Sequence, residues 1–359
     1  MTKKQYLLTP GPAPIPEKIM KAMAKPIIHH RTPQYKDVVK TVNRDLKKIF
    51  KTKNNVLTLT SSGTGAMEAS VINALSPGDT AIVVRGGKFG ERFAEICSAY
   101  GVKVVAVDIE WGARPEPDMV EKVLRETPEA KAVFVQLCET STATVYAVKD
   151  IGDIVKKTGA ILITDAISGL GADEFKMDEW NVDIALGGSQ KAFMIPPGLS
   201  FVALSDKARD LIKKSKLPRY YYDLGRYEKL VEKGDSPWTP AITLVIGLGE
   251  ALSMIMDEGG IDNFIARHGR DAEFVRKSVV GMGLSLFSGF PSNAVTAVRV
   301  PDGIDATVLI SALKEKGVTF APGQAHTKGK ILRIAHMGAI TRKDLEFALG
   351  KLKETLEEL

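Results

Sequence analysis

The sequence predicts an α/β protein: a seven-stranded, mainly parallel sheet in a large domain, followed by a smaller α+β C-terminal domain. Three observations carry this. Up to about residue 205, short β-rich runs alternate with helical patterns. Several of those runs are apolar throughout, as strands covered on both faces are. Past Gly259-Gly260 the order changes to helix, paired strands, helix, paired strands and helix over about 100 residues.

Taken in order, Pro10, Pro12, Pro14 and Pro16 lack amide donors and fix their own φ, so residues 1–16 are expected to run as an extended arm laid on the rest of the chain. The strands of the sheet are Val56–Thr60, Ala81–Arg85, Lys103–Asp108, Ala132–Leu137, Ile161–Asp165, Asp183–Gly188 and Leu199–Leu204. A helical stretch from Ile242 to Met256 reaches Glu258-Gly259-Gly260, whose glycines are a stop signal. The expected division is therefore 17–258 and 259–359. The second part reads as a helix over Asp262–Val280, strands Leu284–Phe287 and Ala294–Val300, and a helix over Asp305–Lys316. Strands Val318–Ala321 and Lys330–Ala335 follow, then a last helix from Thr341, whose Asp344 suggests a capping box.

A chain of 359 residues with 44% hydrophobic and 26% charged residues is ordinary globular material, which excludes disordered, collagen-like and coiled-coil classes. Its 49 Lys+Arg against 43 Asp+Glu leave a net charge of +6 spread along the chain, which argues against nucleic acid and is compatible with small anionic substrates. Two cysteines, Cys97 and Cys138, make neither a disulfide framework nor a zinc site, so no metal is expected and the compartment is read as reducing cytoplasm. The prolines interrupt any signal-peptide core, and Thr243, Gly247, Gly249 and Glu250 break up the most apolar window, so no membrane partner is expected.

Ligands of open α/β sheets bind beyond the carboxyl ends of the strands. After the first strand comes Ser61-Ser62-Gly63-Thr64-Gly65 and then a helical pattern from Ala66: glycines, hydroxyls and a helix N-terminus, the parts of a phosphate cradle. The same stretch is equally an ordinary helix-capping turn. The fifth strand is apolar until it ends in Asp165, which alone reads as a capping carboxylate. The sixth leads into Gly187-Gly188-Ser189-Gln190-Lys191 and Pro196-Pro197-Gly198, placing Lys191 in a fixed turn. Such a lysine is either a solvated charge or an amine tuned for Schiff-base chemistry. Together, cradle, strand-end Asp and lysine match the phosphate, pyridine nitrogen and aldehyde of pyridoxal 5'-phosphate. Arg85-Gly86-Gly87-Lys88-Phe89 adds an aromatic that could stack on the pyridine, and Glu139-Thr140-Ser141-Thr142 adds polar groups that could order the ring hydroxyl side or the substrate.

These residues resemble the class V, fold-type I pyridoxal-phosphate aminotransferases, in particular the alanine–glyoxylate, serine–pyruvate and serine–glyoxylate group. The similar stretches are LLTPGPAPIP (7–16), HHRTP (29–33), SSGTGAMEA (61–69), GGKFGER (86–92), ETST (139–142), LITDAISGLG (162–171), GGSQKAFMIPPG (187–198) and KILRIAHMG (330–338), spread over essentially the whole chain. The resemblance implies that Lys191 bonds the cofactor aldehyde and Asp165 pairs with the pyridine nitrogen. By the same likeness Phe89 stacks on the ring, Gly63, Thr64 and Gln190 contact the phosphate, and Thr140 lies beside the cofactor. Arg333 would grip the substrate carboxylate, a task that suits a planar guanidinium fork, and Gly11, with Pro12 and Ala13, would close the pocket. A homodimer is implied, with Thr239 completing the partner's phosphate site; Ser236 stands where some relatives have a tyrosine. The implied reaction is ping-pong transamination from serine or alanine to glyoxylate or pyruvate.

Alternatives remain at this level. A phosphoserine or aspartate aminotransferase would need further cations, which His29, His30 and Arg31 could supply, and a lyase of the same fold is a third possibility. A cysteine desulfurase is disfavoured because no cysteine follows Cys138. A non-catalytic ligand-binding protein on the same fold is the rival of a different class; in its simplest form, a plain nucleotide-binding module, it would have no use for Asp165 and Lys191 together.

Overall fold

The computed structural model describes residues 5–359; residues 1–4 of the expected arm lie outside the described residues. The main sheet has seven strands in the order Val56–Thr60, Leu199–Leu204, Ile184–Gly188, Ile161–Asp165, Ala132–Gln136, Thr80–Arg85 and Lys103–Asp108. Neighbours are parallel except Leu199–Leu204, which runs antiparallel to both of its partners.

The central strands are buried along their whole length. Successive side chains point to opposite faces of a strand, and here they enter different cores. Val133, Val135 and Leu162 pack into one hydrophobic cluster, whereas Ala132, Phe134, Ile161 and Ile163 pack into another on the opposite face. Helices cover both clusters: Pro33–Phe50 and Ile242–Asp257 contribute to the first, Gly63–Ala74 and Lys88–Ala99 to the second. This double burial accounts for the uniformly apolar runs in the sequence.

Each parallel strand carries its carboxyl end to the same sheet edge. The antiparallel strand reverses there, so Leu199 lies opposite Thr60 and Ser200 opposite Gly188. Turns 61–63, 86–87, 137–142, 166–168 and 189–191 therefore converge on one edge, and that edge positions the site.

A second, four-stranded sheet has the order Ser285–Leu286, Val295–Arg299, Ile331–Ala335 and Ala321–Pro322. Helices Ile261–Gly281, Ala306–Glu315 and Arg342–Glu358 pack on it around a third cluster. The chain passes from the first sheet to the second through Gly259 and Gly260, both at positive φ (97° and 85°), a conformation that other residues adopt only with strain.

The expected strand 318–321 is divided. Val318–Thr319 pairs in parallel with Tyr6–Leu7 of the arm, while Ala321–Pro322 pairs with Ile331–Ala335. The buried Phe320 ring sits where the chain changes partner, and Pro322 has no N–H to extend the ladder. Across 9–12 the arm bends instead of running extended, because Gly11 at a φ of 116° admits a turn closed by its N–H to the Thr9 carbonyl at 2.8 Å; the first helix begins at Glu17. The cradle helix begins at Gly63, three residues before the apolar pattern that announced it.

Candidate active site

Lys191 lies at the sheet edge with its side chain buried and its Nζ donating to the carbonyl of Pro10 in the arm. Burial lowers its ammonium from 10.5 to about 8; Asp165 opposes that shift and Arg333 adds to it. The arm is pinned over the lysine by Ala13 N–H to the Gln190 carbonyl at 2.9 Å, and by Ala335 N–H to the Leu8 carbonyl at 2.9 Å. A Cβ on Gly11 would lie 2.6 Å from Lys191 Nζ, and Gly11 sits at a φ of +116°, so only glycine fits.

Asp165 ends its strand fully buried. Burial pushes its carboxyl up to about 6, against the Ile167 N–H donated to Oδ1 at 2.9 Å and the charges of Lys191 and Arg92. Oδ2 receives no hydrogen bond from the described residues and is open to a ligand. Ile167 also reaches across to the cradle, since a Cβ on Gly63 would lie 2.6 Å from its Cδ1 and one on Gly188 2.9 Å from its Cγ2.

The helix Gly63–Ala74 opens without a side-chain cap from Ser62, leaving its leading N–H groups for an anion. Arg92 adds charge there, donating to Thr64 Oγ1 at 3.2 Å while its guanidinium lies 4.8 Å from the Phe89 ring centroid. Phe89 is half-buried at the start of the neighbouring helix. The buried Gln190 Oε1 and Thr164 Oγ1 have no partner among the described residues.

Arg333 projects from the second sheet and is 5% exposed. Its Nε and Nη2 donate to the Pro322 carbonyl at 3.1 and 3.0 Å, and Nη1 to the Thr140 carbonyl at 2.9 Å. No carboxylate lies within ion-pair distance among the described residues. Burial lowers this guanidinium to about 10, so its charge is retained. Five N–H groups less three bonds leave one N–H on each Nη free for a ligand.

Thr140 donates its hydroxyl to Ser168 Oγ at 2.6 Å, so the strand end that holds Arg333 is tied to the loop after Asp165. Glu139, read from the sequence as a group for the ligand, is committed elsewhere: its carboxylate accepts the N–H groups of Phe89, Gly90 and Ser141. Sequence reasoning missed that role and missed Ser168, because both act through main-chain and hydroxyl contacts between distant segments. The one available signal was the paired glycines at 86–87, which leave room for a neighbouring side chain.

Thr239 is exposed, on the loop before the helix Ile242–Asp257; the adjoining Ala241 N–H bonds Thr60 Oγ1 at 3.0 Å, beside the cradle. Arg31 pairs with Asp235 and donates to the Ser236 carbonyl at 3.2 Å. Cys97 and Cys138 are buried, and burial raises both thiols, Cys97 to about 12.

The arrangement fits a phosphorylated pyridine aldehyde. An uncapped helix N-terminus beside Arg92, a buried carboxylate with one open oxygen, a buried amine of lowered basicity and the Gln190 side-chain amide share one sheet edge.

A family model described as aminotransferase class V matches residues 5–347. Among curated relatives, the soluble hydrogenase 42 kDa subunit of Anabaena cylindrica is 40% identical, over 100% of this chain and 95% of that protein. The L-aspartate–glyoxylate aminotransferase of Paracoccus denitrificans is 36% identical over 95% and 88%. The serine–glyoxylate aminotransferase of Methylorubrum extorquens is 32% identical over 98% and 91%. Among solved structures, the subgroup IV aspartate aminotransferase of Thermus thermophilus superposes with a TM-score of 0.92 at 34% identity, covering 98% of this chain and 99% of that one. The alanine–glyoxylate aminotransferase of Nostoc sp. gives 0.95 at 26% identity, covering 99% and 96%.

Proposed function

Given that this chain belongs to the class V aminotransferases, enzymes that use pyridoxal 5'-phosphate, we propose that it moves the amino group of a small amino acid, serine or alanine, to glyoxylate or pyruvate. The observation that carries the reading is Arg333, a buried cation without a carboxylate partner among the described residues, at the edge that holds Lys191 and Asp165.

Pyridoxal phosphate, when bound, supplies an aldehyde that condenses with amines and a ring that accepts the electron pair left when an α-proton departs. Gly63, Thr64 and Gln190 would hold its phosphate, Phe89 its ring face, and Asp165 its ring nitrogen. With a carboxyl near 6, Asp165 is ionised at neutral pH and keeps a proton on that nitrogen. Lys191, lowered to about 8, has a sizeable neutral fraction at mildly alkaline pH, so its Nζ serves first as nucleophile and then as the base that takes the α-proton and returns it. Arg333, fixed by the Pro322 and Thr140 carbonyls, binds the α-carboxylate and sets the Cα–H toward Lys191. The arm covers the amine and excludes water.

The relatives named for aspartate favour one second reading, an aspartate donor with the same acceptor. Phosphoserine is less well supported, since Arg31 is already paired with Asp235. Two further assignments belong to the proposal. The exposed Thr239, on a loop bonded beside the cradle, would complete the phosphate site of a second copy in a homodimer. The buried, unpaired thiols suit a reducing cytoplasm.

The test is an absorbance spectrum of the holoenzyme with L-serine, L-alanine, L-aspartate or L-phosphoserine, no oxo acid present. Loss of the aldehyde-form band with serine or alanine, restored by glyoxylate, is the expected result; a band that only L-aspartate or L-phosphoserine bleaches overturns the small-donor assignment. Lys191→Ala should abolish turnover in a chain that still folds. Near-normal turnover in that variant would remove Lys191 from its role.

A further inference from the structure

The helix Lys88–Ala99 carries Phe89 at its second position, and its N-cap residue, Gly87, has no side chain to hold the first free N–H groups. A different strand end holds them. Ser141 Oγ accepts from Lys88 N–H at 3.1 Å, and Glu139 Oε2 accepts from Phe89 and Gly90 N–H at 3.1 Å each. Glu139 Oε1 in turn takes the Ser141 hydroxyl at 2.5 Å and the Ser141 N–H at 3.1 Å. The helix is thus capped in trans, by two side chains about 50 residues further along the chain.

Gly87 is what admits the cap. Its φ of 170° is open to any residue, but a Cβ there would lie 2.3 Å from Ser141 Oγ and 2.4 Å from Glu139 Cδ. The carboxylate is fully buried, yet its acceptor positions are satisfied by donors from two segments, and it faces the positive end of a helix dipole. Between the two capping residues stands Thr140, whose carbonyl aims Arg333 and whose hydroxyl is bonded to Ser168.

We infer that Glu139 is a positioning residue for both halves of the site, fixing the Phe89 platform in register with the Thr140 carbonyl that orients Arg333. Glu139 itself touches neither cofactor nor substrate. The inference rests on the transaminase reading above and adds that cofactor stacking and carboxylate binding share one anchor. In Glu139→Gln, one acceptor oxygen becomes an NH₂ that cannot accept, so either the Phe89–Gly90 pair or the Ser141 pair loses its bonds.

The test compares wild type, Glu139→Gln, Ser141→Ala and Phe89→Leu as holoenzymes. The readouts are pyridoxal phosphate affinity by titration, visible circular dichroism of the bound cofactor, and donor KM and kcat separately. Glu139→Gln should weaken cofactor binding about tenfold, change the visible dichroic band, and raise donor KM about tenfold. Phe89→Leu should weaken the cofactor and raise donor KM less than Glu139→Gln does, since it removes the platform and not the anchor. Ser141→Ala should give a smaller shift of both readouts in the same direction, and it carries the test if Glu139→Gln fails to fold. A wild-type dichroic band and wild-type donor KM in folded Glu139→Gln, or in Ser141→Ala should the first not fold, would overturn the inference. If wild type itself shows no cofactor band and no half-reaction, it is the transaminase reading that fails.

Discussion

At the scale of single residues, the site depends on side chains that are missing as much as on those present. Gly11 lies against Lys191 so closely that a methyl group would meet Nζ, Cε and Cδ at 2.6–2.9 Å. Gly11→Ala should therefore lower kcat by about a hundredfold through displacement of the amine, with the far-ultraviolet spectrum unchanged. Stopped-flow measurement of the half-reaction would check this, and an unchanged rate would mean that the arm yields freely. Asp165 stood out in the sequence as a carboxylate closing an apolar strand, and Lys191 as a lysine in a turn fixed by glycines and prolines. Arg333 was legible only through family likeness, since nothing in KILRI says what faces it. Glu139 and Ser168 were not legible as anchors: each works by bonding a segment at least 28 residues away.

At the scale of elements, hydrophobic period and turn residues located the strands of the main sheet to within a residue or so, because the central ones are buried on both faces and all are bounded by breakers. Pairing was less legible. Nothing local in 318–321 distinguishes a strand that serves two partners, and the arm's part in that pairing is a contact across the whole chain. The last helix began where its cap promised. Thr341 Oγ1 accepts from Asp344 N–H at 3.2 Å, and Asp344 Oδ2 accepts from Thr341 N–H at 3.0 Å. Thr341→Ala should reduce stability by about 1 kcal/mol in denaturant unfolding and leave donor KM unchanged. A loss near zero would show that the packing of Leu345, Leu349 and Leu352 alone fixes that terminus.

At the scale of the whole molecule, His268 joins the two sheets. Its Nδ1 lies 2.9 Å from the Gly171 carbonyl and its Nε2 accepts the Gly338 N–H at 2.9 Å, so the ring must be neutral with its proton on Nδ1. Burial, helped by the charge of Arg267, lowers it from 6.5 to about 3. Its contribution to stability is complete above pH 6.5 and is lost as the pH falls toward 3, because the unfolded chain takes up a proton that the folded one refuses. His268→Gln keeps a donor and an acceptor but no titration, so between pH 7 and 5 it should lose about 2 kcal/mol less than wild type in urea unfolding. Parallel losses in the two proteins would show that the ring is protonated in the folded state.

The bonds between the arm and residues 318–335 also set a timetable for synthesis. Tyr6 and Leu7 leave the ribosome long before Val318 and Thr319, the residues they pair with, and Leu8 before Ala335, which donates to it. A nascent chain that has built the entire first sheet can hold the arm over Lys191 by the Ala13–Gln190 bond, but not yet by the bonds to Val318, Thr319 and Ala335. The cover of the amine is thus fastened in two stages, first to the turn that carries Lys191 and last to the strand that carries Arg333.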